Sequence, residues 1–175
     1  VDGQIYRGAS GAAGELGVYS ALMHNQQFVK TSALQLGRWE MDLGICDMAQ
    51  RMLQEGEDSI LKEIIKTGQL LTINDVIKAS REKDALAVRV IEEAGHNLGR
   101  KIAFLVNLLN PEVVVIGGGI EDCGTILLDA VKNAVREWAI EEAANVVKVI
   151  PSAFGENSIA LGVVGIVVRE LFAQA

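Results

Sequence analysis

The stretch Val113-Val114-Val115-Ile116-Gly117-Gly118-Gly119 limits what this chain can fold into more than any other. Four β-branched residues in a row favour extended backbone. Their lack of alternation is the pattern of a strand covered on both faces, as in a parallel sheet with helices on each side. Three glycines then end the strand. Two explanations stand for them: they let backbone N–H groups approach a nucleotide or phosphate, or they supply positive φ and close helix-on-strand contact.

A parallel strand needs a crossover partner, and the text around this stretch supplies helices. Met41, Leu43, Ile45, Met48, Ala49 and Met52 fall near helical spacing from Glu40 to Gly56. Asp58 is placed to cap Ile60 to Lys66, and Thr72 with Asp75 three residues on has the pattern of a capping box for Ile73 to Ser80. Asp84 opens the longest predicted helix, with Val88, Ile91, Ala94, Leu98, Ile102, Leu105 and Leu109 as its apolar face, and Asn110-Pro111 ends it. Beyond the glycines, Cys123 to Trp138 repeats the helical pattern, with Ile126, Leu127, Ala130, Val131, Ala134 and Val135 on one side. Asn145 to Ile150 reads as a second short strand stopped by Pro151, and Ile159 to Phe172 as a last helix in which Ala160, Gly162 and Gly165 leave room for close contact. Helix, strand, glycine turn, helix, strand, helix is an α/β order.

The opening residues are different in kind. Val1 to Arg7 alternates around the turn pair Asp2-Gly3, as the return arm of a hairpin would. Its partner strand would precede Val1, so the chain reads as a fragment or a processed piece. Gly8 to Gly17 follows, with four glycines and a single carboxylate, Glu15. Tyr19 to Trp39 has no clear period and reads as a long loop, a kind that is usually functional or mobile.

Composition excludes several classes. A net charge of −7 argues against a nucleic-acid surface on this chain, since phosphate contact needs clustered Lys and Arg. Cys46 and Cys123 are isolated, which implies neither a disulfide framework nor a structural zinc site and fits buried thiols in a reducing cytosol. No apolar run approaches a membrane span, and the first residues are too polar for a signal peptide. A soluble cytoplasmic protein is expected.

Gly8-Ala9-Ser10-Gly11-Ala12-Ala13-Gly14-Glu15-Leu16-Gly17 resembles the signature loop of the ROK family of sugar kinases and sugar-responsive transcriptional repressors. Asn110 to Gly119 is similar to that family's second marker, the strand and glycine turn at the adenosine site of actin-like ATPases. The resemblance extends through Glu156 to Phe172. It implies an α/β fold: the C-terminal lobe of a ribonuclease H-like, actin-like ATPase domain, with a central sheet and flanking helices, incomplete without an N-terminal lobe. Residues 1–175 are then a single lobe, in which 18–39 form an irregular loop in place of the family's zinc loop. By the same resemblance Glu15 accepts hydrogen bonds from sugar hydroxyls, a task suited to an acceptor-only carboxylate. Glu40 takes the place of a second sugar-contacting glutamate, and Gly117, Gly118 and Gly119 border the nucleotide. Without the resemblance, Glu15 would be a surface loop charge and Glu40 a solvated carboxylate at a helix start.

Two departures from the family pattern shape the expectation. Val18 stands where the family has a zinc-binding histidine, and no cysteine lies between Val18 and Glu40. His24 alone cannot replace that donor set, so no zinc is expected. His96 reads as a half-buried or surface helix residue. The catalytic aspartate and phosphate loops of family kinases would precede Val1, so no cofactor and no activity are expected of this lobe alone. The expected function is the sugar-sensing domain of a ROK-type repressor, binding a sugar or sugar phosphate as a homodimer. DNA would be bound by a domain preceding Val1. The alternative is the C-terminal lobe of a hexose or N-acylhexosamine kinase, which would use ATP and magnesium.

Overall fold

The computed structural model describes residues 4–14 and 43–172. The chain divides into two compact units, Val1–Glu40 and Met41–Ala175. In the first, residues 4–14 form turns and irregular backbone, so the predicted hairpin arm has no strand among the described residues. The Ala13 N–H donates to the Arg7 carbonyl at 3.2 Å, closing the loop. Tyr19 to Trp39 lies outside the described residues.

The second unit begins with α1 (Ile45–Gln54), later than its apolar spacing predicts. Leu43 and Gly44 both have positive φ, and two left-handed residues in succession cannot continue a right-handed helix. A short α2 (Lys62–Lys66) and α3 (Ile73–Arg81) follow. The capping box at α3 forms as the spacing predicts: the Asp75 N–H donates to Thr72 Oγ1, and the Thr72 N–H donates to Asp75 Oδ2 at 2.9 Å. Asp58 does not cap Ile60. Its carboxylate takes the Lys62 ammonium at 3.1 Å, while the Ile60 N–H donates to Asp84.

α4 (Ala85–Leu109) has 25 residues, so it is about 37 Å long. Asp84 caps it by accepting from the Ala87 N–H, and Asn110 ends it in a left-handed conformation. Its buried seam is Leu86, Ala87, Val90, Ile91, Ala94, Gly95, Gly99, Ile102, Ala103 and Val106. Of the predicted face only Ile91, Ala94 and Ile102 are fully buried. The seam is turned because Gly95 and Gly99 lie at the contact with α5 (Gly124–Trp138). A Cβ on Gly95 would stand 2.7 Å from the Ala130 Cβ, and one on Gly99 2.6 Å from the Ala134 Cβ and 2.7 Å from the Val131 carbonyl oxygen. The two helices therefore meet at backbone distance. Leu127, Val131 and Val135 of α5 complete the seam, as predicted.

β1 (Val113–Ile116) and β2 (Lys148–Pro151) pair in parallel, Val113 opposite Lys148 and Ile116 opposite Pro151. α5 and a short α6 (Glu141–Val146) form the crossover between them. β2 is shorter than expected because Asn145 and Val146 belong to α6, whose first turn carries Glu141 and Glu142 where the helix dipole favours carboxylates. Pro151 ends β2 from inside the strand, and the ladder passes to Ser152, whose N–H donates to the Ile116 carbonyl at 2.6 Å. Ile116 and Val149 point into the core, but Val115 is 59% exposed and Val113 lies on the same open side. Among the described residues β1 is thus covered on one face. The last helix, α7 (Ser158–Phe172), follows a 3₁₀ turn at Gly155–Asn157. Both cysteines are buried, and they are not joined in a disulfide. No described helix is long and apolar enough to cross a membrane.

Candidate ligand site at the glycine turn

Three segments converge where β1 ends. Gly117 passes close to the end of β2 and the start of α7; a Cβ there would stand 3.1 Å from the Ser152 Cβ and 3.2 Å from Ser158 Oγ. Gly118 and Gly119 then turn the chain with φ of 93° and 95°, a conformation that a side chain would strain. Gly117 and Gly118 are exposed, so the turn faces outward.

The amides of the turn are engaged by the chain itself. The Gly118 N–H donates to Ser158 Oγ at 3.2 Å, and the Gly119 N–H donates to Glu121 Oε2 at 2.8 Å. Glu121 lies in the 3₁₀ turn Ile120–Cys123 that leads into α5. Its second oxygen, Oε1, is buried and has no hydrogen-bond partner. Of the two roles open to these glycines, close packing of strand on helix is plainly in use.

Of the site residues predicted from sequence, the structure places Gly117, Gly118 and Gly119 together at this turn. Glu15 and Glu40, the predicted sugar contacts, lie outside the described residues. Of the signature loop, Gly8 to Gly14 is described and is exposed throughout. Sequence reasoning missed Ser158 and Glu121. Glu121 was within reach of a local argument, two residues from the amide it accepts. Ser158 is 40 residues from Gly118, and no local period connects them.

The ROK family model matches residues 1–170. The chain belongs to the ROK family. Among relatives, it is 30% identical over 167 residues to a glucokinase of Halalkalibacterium halodurans, a match covering 94% of this chain and 49% of that protein. It is 24% identical over 168 residues to the xylose repressor of Bacillus subtilis, covering 96% of this chain and 40% of the repressor. Among solved structures, a ROK family transcriptional regulator, a homologue of the Escherichia coli MLC protein, superposes with a TM-score of 0.58 at 32% identity, over 63% of this chain and 27% of the regulator. The chain spans about half the length, or less, of the relatives it matches. Its mixed α/β architecture, with a small parallel sheet, is that of the sugar kinase and actin-like ATPase fold.

The zinc loop that the family resemblance implies does not fit this ROK chain. It needs three cysteines and a histidine. The chain has two cysteines in all, and both are buried within the second unit. Among the described residues no group of three or more His, Cys, Asp or Glu side chains could hold a metal ion.

Proposed function

We propose that this chain is the sugar-sensing part of a ROK-type transcriptional repressor, without catalytic activity of its own. The observation that carries the reading is the loss of the zinc donor set at Val18 in a chain that retains the sugar-loop glutamate, Glu15. A lobe that keeps a ligand contact and drops a structural constraint of the family suits a sensor. Similarity to a xylose repressor and to a ROK transcriptional regulator supports it. The ligand is a sugar or sugar phosphate, held by Glu15 and Glu40, with Gly117 to Gly119 as the nucleotide-side surface. In the full-length protein, a homodimer in the cytoplasm, sugar shifts the balance between DNA-competent and DNA-incompetent states by its unequal affinity for the two. DNA contact belongs to another domain, because an acidic lobe repels phosphate.

A second reading has its own support. Similarity to a glucokinase runs over 94% of the chain, so the same lobe would serve an ATP- and magnesium-dependent sugar kinase. ATP and its metal would there supply the phosphoryl group and the charge neutralisation for its transfer. The glycine turn would face the nucleoside.

Calorimetry on full-length protein tests the sugar site. Glu15→Ala is expected to lower affinity for the best-binding hexose by about tenfold or more, since it removes charge-assisted hydrogen bonds. Equal affinity of the two proteins across a hexose panel would sink the assignment. Phosphoryl transfer from ATP to any of those sugars would select the kinase. Stoichiometric zinc in the purified protein would overturn the reading of Val18.

A further inference from the structure

We propose that Glu121 occupies the amide that an anionic ligand would take at the glycine turn, and so restricts this surface to uncharged ligand groups. The turn has two successive positive-φ glycines, Gly118 exposed and Gly119 half-buried, and turn backbone of this kind can present its N–H groups to an anion. Here neither of those amides is open. Ser158 Oγ takes the Gly118 N–H and the Glu121 carboxylate takes the Gly119 N–H at 2.8 Å. The carboxylate acts as a built-in anion, so a phosphate or a second carboxylate arriving at the turn meets a like charge and must displace it.

The state of the second oxygen separates this arrangement from an ordinary turn cap. Glu121 Oε1 is buried without a partner, a cost that a residue serving only to satisfy Gly119 could avoid with a neutral acceptor. The negative charge is retained beside an outward glycine surface, and it tells neutral from anionic groups. The inference rests on reading Gly117 to Gly119 as ligand-facing, and is independent of Glu15 and of any sugar.

The probe is inorganic phosphate, titrated into full-length protein labelled with ¹⁵N-glycine while the Gly118 and Gly119 amide resonances are followed. In the wild type these resonances are expected to stay in place. In Glu121→Ala the Gly119 amide should shift saturably, with phosphate binding tighter by about tenfold or more. Glu121→Gln, which keeps an acceptor and loses the charge, should fall between the two. Wild type and Glu121→Ala responding alike, both saturating or both silent, overturns the proposal. Should the alanine variant fail to fold, a glutamine variant indistinguishable from wild type overturns it equally. Sugar calorimetry is read separately, so failure of the sugar site and failure of this inference are told apart.

Discussion

Asp84 joins two helical segments through one carboxylate. It accepts from Ser59 Oγ at 3.0 Å, from the Ile60 N–H at 2.9 Å and from the Ala87 N–H at 2.9 Å. Asp58, which spacing nominates for the first of these segments, is fully exposed and pairs with Lys62. Asp84→Ala is therefore expected to cost about 2–3 kcal/mol in denaturant unfolding, whereas Asp58→Ala should leave the midpoint unmoved, as exposed ion pairs contribute little. The Lys62 hydrogen bond and charge hold the Asp58 carboxyl below its ordinary value. What that pair adds is thus present above about pH 4 and fades as pH falls through the lowered value. The capping box at Thr72 and Asp75 was legible because it closes within three residues. The bond from Ile60 to Asp84 spans 24 and was not.

At the scale of elements, the meeting of α4 and α5 reverses what helix propensity says. Alanine is better than glycine in a helix interior by about 1 kcal/mol, so Gly99→Ala ought to stabilise an isolated α4. In the folded chain the new methyl would meet the Ala134 Cβ and a carbonyl oxygen of α5, neither of which can swing aside. Forcing the helices apart costs more than propensity returns, and Gly99→Ala is expected to lower stability by about 2 kcal/mol. Urea unfolding should show a lower midpoint at unchanged slope, and a raised midpoint would mean that the seam is looser than described. Asn107 ties the same pair of helices at their far end. Its Nδ2 donates to the Trp138 carbonyl, and its Oδ1 accepts from the Ile140 N–H. The apolar side of α5 was readable from period alone, while of the seven residues read as the face of α4 only three are buried. A pattern search weights large apolar residues and passes over glycines, and glycines are what this contact uses.

In the second unit as a whole, the apolar faces that the sequence offered have separate fates. That of α5 is spent on α4. That of α7 remains open among the described residues, with Val163, Val164, Val167 and Val168 all 46–57% exposed and open space beside Gly162 and Gly165. A helix apolar around its whole circumference is built for enclosure. A protein of these 175 residues is expected to bind an apolar fluorescent dye through α7. Val163→Lys with Val167→Lys should remove most of that fluorescence and leave the far-ultraviolet circular dichroism unchanged; undiminished fluorescence would place the dye elsewhere. The sequence alone determined the α/β order, the strand that stops at Gly117, the caps at Thr72 and Asp84, and membership of the ROK family, because each is written in residues a few positions apart. Tertiary structure decided that Ser158 and Glu121 close the glycine turn, that Gly95 and Gly99 form the helix seam, and that Asp84 reaches back to Ile60. Hydrogen bonds and steric contacts between distant segments depend on how closely whole elements pack, and no local period encodes that distance.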